Sequence, residues 1–208
     1  MRRSKSIYAV LAIAIILSIL LTAAAGSGDP LFLDQAAADL MKRLFPESSY
    51  SFFNLIAELG DKLVIGIIVL LMIAWLAVKK RDVLGIIILV TAVGLGNEVS
   101  KWIKELVARE RPAIGAMEAS YSFPSGHAMV GLILYVFIAC FIMKNVQSTR
   151  GKWWIGSAAA ILILLIGLSR IAVHAHYFTD VLGGYTFGII WSYVWLLIYE
   201  VLKERLAK

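Results

Sequence analysis

Three short polar stretches interrupt an otherwise apolar chain, and each carries residues suited to handling an oxyanion. In "KELVARERP", Lys104 and Arg111 stand seven residues apart. That is two turns if one helix runs through both, so both cations would reach the same point. Pro112 limits further helix and sets where Arg111 leaves it. Lys101 and Glu105 read as a simple i,i+4 pair. In "FPSGHAMVGL", Ser125 or Pro124 starts a helix, and Gly126 leaves the backbone uncovered. The free N–H groups of a helix start favour an anion, and His127 in that first turn is a neutral donor or a ready acid. In "SRIAVHAHYFTD", His176 and Asp180 are four residues apart, the spacing at which helical side chains meet. A carboxylate on one imidazole nitrogen fixes the tautomer and strengthens the other nitrogen as a nucleophile. Arg170 offers a planar fork for phosphate oxygens. His174 is two residues from His176, points elsewhere on a regular helix, and receives no role.

Taken singly, each stretch has an ordinary structural explanation: a snorkelling helix end, a capping serine, a surface pair. Together they are the equipment for phosphoryl transfer without a metal. Three cations hold the equatorial oxygens, one histidine attacks phosphorus, and the other protonates the leaving oxygen. Positioning and charge stabilisation supply most of the catalysis of such reactions.

Whether the three stretches meet depends on the elements that carry them. The 208 residues are 61% hydrophobic with a mean hydropathy of +0.84, above the range of soluble domains. Six segments are long and apolar enough to span a bilayer, roughly 7–25, 63–78, 83–107, 128–143, 153–171 and 181–202. The predicted fold is therefore all-α, a polytopic membrane protein forming one domain over 1–208, with a motif-bearing core of about 83–202. The net charge of +6 is scattered in short clusters, without the continuous basic stripe of a nucleic-acid face. The lone Cys140 permits no disulfide framework within the chain and suggests no cysteine metal site.

The clusters set the expected orientation. Arg2, Arg3 and Lys5 precede the first segment; Lys79, Lys80 and Arg81 follow the second. Lys144, Arg150 and Lys152 follow the fourth, and Lys203, Arg205 and Lys208 follow the sixth. All four groups fall on one side, expected to be cytoplasmic, with both termini. The three polar stretches then face outward from the plasma membrane. Arg2-Arg3 with Ala23-Ala24-Ala25-Gly26 also fits a signal peptide with its small-residue cleavage site; a retained helix is the preferred reading.

The long outer stretch contains "DPLFLDQAAADLMKRLF". Leu33, Ala36, Ala37, Leu40, Leu44 and Phe45 share a helical spacing, with Asp34, Gln35, Asp39, Lys42 and Arg43 largely on other faces. An amphipathic helix on the membrane surface is expected, with a loop helix packed on the bundle as the alternative. Phe52 and Phe53 would anchor the next turn at the interface. The tryptophans and tyrosines read as interfacial or packing aromatics, and Gly183, Gly184 and Gly188 as close helix contacts.

The polar stretches resemble the three motifs of the type 2 phosphatidic acid phosphatase superfamily. Lys104-x6-Arg111-Pro112 is similar to its first, Pro124-Ser125-Gly126-His127 to its second, and Ser169-Arg170-x5-His176-x3-Asp180 to its third. Order and internal spacing match without a gap; stretch 26–62 carries no motif. The resemblance implies a role for each matched residue. His176 would form a phosphohistidine, Asp180 would orient it, and His127 would be the general acid. Lys104, Arg111 and Arg170 would grip phosphate with Ser125, Gly126 and Ser169. It also implies turnover without a metal or other cofactor. Its small members point to undecaprenyl pyrophosphate as the first expected lipid substrate, with phosphatidylglycerophosphate, phosphatidic acid and diacylglycerol pyrophosphate open. Other classes on the same scaffold are a lipid phosphotransferase and a non-catalytic lipid-binding protein. A metal hydrolase using His174, His176 and Asp180 is disfavoured, because those side chains face apart and three cations would repel the ion. The oligomeric state is left open.

Overall fold

The structure, a computed structural model, describes residues 5–113 and 120–206. Among these the chain is helical, with no strand. Helices α1 (Lys5–Ala25), α5 (Val83–Val107), α6 (Gly126–Met143), α7 (Thr149–Ala172) and α8 (Phe178–Leu206) are each long and apolar enough to cross a bilayer. A sixth span comprises α3 (Tyr50–Glu58), α4 (Lys62–Trp75) and a π-helical turn at Leu76–Lys80. The expected six spans are present, and the chain is a multi-pass membrane protein.

Helix α6 is the hub, packed by α4, α5, α7 and α8. Its Ile133, Leu134 and Phe137 are fully buried against Leu89 of α5 and Tyr199 of α8. Lipid tails are as apolar as leucine, so close van der Waals fit must hold such helices together. The α6–α8 seam shows how that fit is achieved. A Cβ on Gly184 would stand 2.6 Å from the Ser125 carbonyl oxygen and 2.9 Å from the Ala128 Cβ. The expected close contact at these glycines is therefore real, and it seats α8 against the very start of α6. Midway along α8, Trp191 donates its Nε1–H to the Ala92 carbonyl of α5 at 2.8 Å, so this aromatic packs inside.

The alternation of the spans puts the end of α5, the start of α6, the end of α7 and the start of α8 at one end of the bundle. Lys79, Lys80, Arg81, Lys144 and Lys203 lie at the opposite end, around the Asp82–Tyr199–Lys203 hydrogen bonds. Arg2, Arg3 and Lys208 lie outside the described residues.

The outer stretch departs from expectation in two ways. Helix α2 (Phe32–Leu44) leaves Phe32, Leu33, Leu40 and Leu44 exposed while it packs on α7 and α8. Its buried face carries Met41 and, against expectation, Asp34, which is only 2% exposed. A sequence pattern sorts residues by polarity, and it places a carboxylate outward when its partner lies far along the chain. The second departure is α3, which packs on α7. Phe53 is buried in that contact, edge-on to Phe45 at 4.9 Å, and only Phe52 is exposed as an interface residue would be.

Candidate active site

Helix α5 does not run on to Arg111. It stops at Val107, and Ala108 takes left-handed dihedrals with φ 51°, its N–H closing on the Lys104 carbonyl. A non-glycine residue there is disfavoured by about 1–2 kcal/mol, so the surroundings must hold the turn. They do so through Ser122, whose N–H donates to the Arg109 carbonyl at 2.8 Å and whose hydroxyl lies 3.0 Å from the Glu110 carbonyl oxygen. Lys104 and Arg111 still converge on one cavity, but the turn brings them there, not two turns of continuous helix. Lys104 is nearly buried; its ammonium donates to the Tyr121 carbonyl and, at 3.2 Å, to that of Ser122.

Ser125 is the N-cap of α6, its side chain accepting the Ala128 N–H at 3.5 Å. Gly126 and His127 follow and line the same cavity. The turn between α3 and α4 closes over His127: a Cβ on Gly60 would come within 3.1 Å of the ring carbon Cδ2. Tyr135 fastens that turn by donating its hydroxyl to the Leu59 carbonyl at 2.7 Å.

The third motif is where local geometry differs most from a simple helix. Helix α7 ends at Ala172, and His176 lies in the connection before α8. The His176 and Ala175 N–H groups both donate to the Arg170 carbonyl. Asp180 is the third residue of α8, and its Oδ2 reaches back to accept the Tyr177 N–H at 2.9 Å. That is one limb of a capping box. The same oxygen faces His176 Nδ1 at 3.4 Å. Asp180 and His176 thus meet by helix capping, not by stacking on successive helical turns. His174 has φ 55°, and its ring packs near Tyr50 with centroids 6.1 Å apart. Among the described residues, no group of three histidine, cysteine or acidic side chains is placed to share a metal ion.

On the other side of the His176 ring, Arg111 Nη1 lies 3.3 Å from Nε2 and donates to the Ala175 carbonyl at 2.8 Å. Burial drives the His176 pKa well below its ordinary value, and the nearby charges of Lys104, Arg111 and Arg170 push the same way; the Ser122 carbonyl opposes them. The ring is therefore neutral at neutral pH, with Nδ1 facing Asp180 and Nε2 beside Arg111 at the cavity. His174 is also held below its ordinary pKa, by desolvation and by Lys42.

The cavity has a volume of about 730 Å³ and runs between α4, α5 and α6. Lys104, Arg111, Gly126, His127 and His176 line its polar end, with Ser100 and Asn97 beside them; Ile65, Val69, Val90 and Val93 line the rest. Ser125, Ser169, Arg170 and Asp180 are buried behind that lining. Ser169 donates its hydroxyl to the Ile166 carbonyl at 2.7 Å, inside its own helix. Arg170 nonetheless acts on His176 electrostatically.

A cationic pocket opening into an apolar slot is the arrangement that the three motifs imply together. The family model of the PAP2 superfamily matches residues 85–204. The chain belongs to the PAP2 superfamily. Phosphatidylglycerophosphatase B of Bacillus subtilis (strain 168) is 35% identical over 100 residues, covering 47% of this chain and 49% of that protein. A PA-phosphatase related-family protein of Dictyostelium discoideum is 35% identical over 78 residues, 35% of this chain and 23% of that one. The chain thus spans half or less of the curated relatives it matches. The PAP2 fold is shared with the crystal structure of a transmembrane PAP2 type phosphatidylglycerolphosphate phosphatase from Bacillus subtilis. That match has a TM-score of 0.80 at 24% identity, covering 91% of this chain and 96% of that one. Aquifex aeolicus LpxE matches with a TM-score of 0.60 at 22% identity, covering 80% and 96%.

The PAP2 motifs do not contain two residues that complete the polar cluster. Arg109 and Asp34 are fully buried beside Asp180. A signal for Arg109 existed: an arginine at a membrane helix end, flanked by others that already had tasks, needs an acid of its own. Nothing local pointed to Asp34.

Proposed function

We propose that this chain is a metal-independent lipid phosphatase that works through a phosphohistidine. One observation carries the reading: a neutral His176 with Nε2 at a cavity wall beside Arg111, and Nδ1 facing Asp180. Nε2 attacks phosphorus as the bond from phosphorus to the leaving oxygen breaks. His127 delivers its proton to that oxygen. Lys104, Arg111 and Arg170 balance the charge on the equatorial oxygens, with the Gly126 amide at the start of α6. Water then attacks the phosphohistidine and gives a proton to His127, releasing phosphate and restoring both rings.

The substrate class follows from the slot. Gly66 and Gly94 line it, and a Cβ at either would meet nothing within 4 Å. Lipid tails enter there from the bilayer while the phosphate stays at the polar end. The name of the Bacillus subtilis relative makes phosphatidylglycerophosphate the first substrate to test. Undecaprenyl pyrophosphate follows, favoured by a slot open to long tails. The site end faces outward, because the basic clusters lie at the opposite end.

Phosphate release by purified protein with EDTA present, across phosphatidylglycerophosphate, undecaprenyl pyrophosphate and phosphatidic acid, tests this. Release from at least one is expected, as is loss of all turnover in His176→Ala with the fold kept. Turnover in His176→Ala overturns the nucleophile assignment; dependence on added lipid acceptor makes the protein a phosphotransferase.

A further inference from the structure

Asp180 has two oxygens, and only Oδ2 serves His176. Oδ1 accepts Arg109 Nη1 at 2.7 Å. The same guanidinium donates to Thr179 Oγ1 at 2.9 Å and, through Nη2, to Asp34 Oδ2 at 2.7 Å. The Tyr177 ring lies over it at 4.2 Å. Asp34 in turn accepts the Thr179 N–H at 2.9 Å through Oδ1 and the Leu31 N–H at 3.0 Å through Oδ2. One carboxylate therefore caps the starts of both α2 and α8.

Arg109 does not line the cavity, and its two terminal nitrogens are already bonded to Asp180, Thr179 and Asp34. Stability alone does not explain the cluster either. Burying three charges is costly, and apolar groups of similar volume often serve as well or better. What charge supplies is direction. The planar fork holds Oδ1 while the Tyr177 N–H holds Oδ2, so the two together fix the plane of the Asp180 carboxylate against His176.

We propose that Asp34 and Arg109 are positioning residues for phosphoryl transfer, holding Asp180 and through it His176 from α2, a helix outside the region matched by the family model. This rests on the phosphohistidine reading above. The test is a double-mutant cycle in detergent, with dioctanoyl phosphatidic acid as probe and unfolding monitored in parallel. Asp34→Asn lowers kcat by about 10- to 100-fold and leaves KM within about two-fold. In an Asp180→Asn background it costs less than about two-fold, because the path to His176 is already cut. Arg109→Lys, which keeps the charge but loses the fork, behaves likewise.

An unchanged kcat in Asp34→Asn overturns the proposal, and so does an equal loss in both backgrounds, which marks a structural role. If Asp34→Asn does not fold, Arg109→Lys decides by the same cycle; failure of both to fold also overturns it. A wild type that releases phosphate from none of phosphatidylglycerophosphate, undecaprenyl pyrophosphate and phosphatidic acid would instead sink the phosphatase reading itself.

Discussion

At the scale of single residues, the proposed chemistry depends on keeping His176 neutral where cations crowd it. An unfolded histidine titrates near 6.5. In the folded chain the His176 pKa lies well below that. Between the two values the unfolded chain binds the extra proton, so stability is full above about pH 6.5 and falls as the pH drops below it. Histidine-labelled NMR in detergent should show a ring still neutral at pH 6 whose signal vanishes in His176→Ala. His127 carries a different expectation. Its loss should slow natural lipid esters far more than activated aryl phosphates, whose leaving groups need no proton. Equal losses would argue against its role as an acid. The types and spacing of these residues were legible in the sequence because lipid tolerates few charges without a task. The way they meet was not. The left-handed turn at Ala108 and the Asp180 reach-back depend on Ser122 and Tyr177, and no local pattern marks either contact.

At the scale of elements, two seams fix the site. Gly184 lets α8 lie on the first turn of α6, and the Ser125 N–H donates to the Asp180 carbonyl at 2.9 Å across that seam. Gly184→Val should destabilise the protein by about 1–3 kcal/mol through overpacking, read as a lower unfolding midpoint in detergent. Gly94 behaves oppositely, since it borders open space. Gly94→Leu should leave the unfolding midpoint near wild type and raise KM for long-tailed substrates more than for short-chain ones. Equal KM changes would remove the tail from this slot. The spans themselves were readable from hydropathy, because a bilayer imposes length and polarity on each helix separately. The short α3 was not, since its nine residues precede the apolar run at 63–78 and are held by packing on α7.

At the scale of the whole molecule, one end carries the three motifs and the other gathers lysine and arginine. Vanadate, a mimic of five-coordinate phosphorus, should inhibit at low concentration, whereas chelators should leave turnover unchanged. Strong loss on EDTA treatment would restore the metal hydrolase as a contender. Helix α2 joins this design through Asp34, beside the packing of Met41 against α7 and α8. Asp34 is separated from Thr179 by 145 residues. At ribosomal speeds of about 5–20 residues per second, it emerges on the order of ten seconds before its partner. Arg109, only 75 residues behind Asp34, is made well before Thr179. Chain elongation therefore acts as a timer: the proposed site lacks Thr179 and Asp180 until the final span is made.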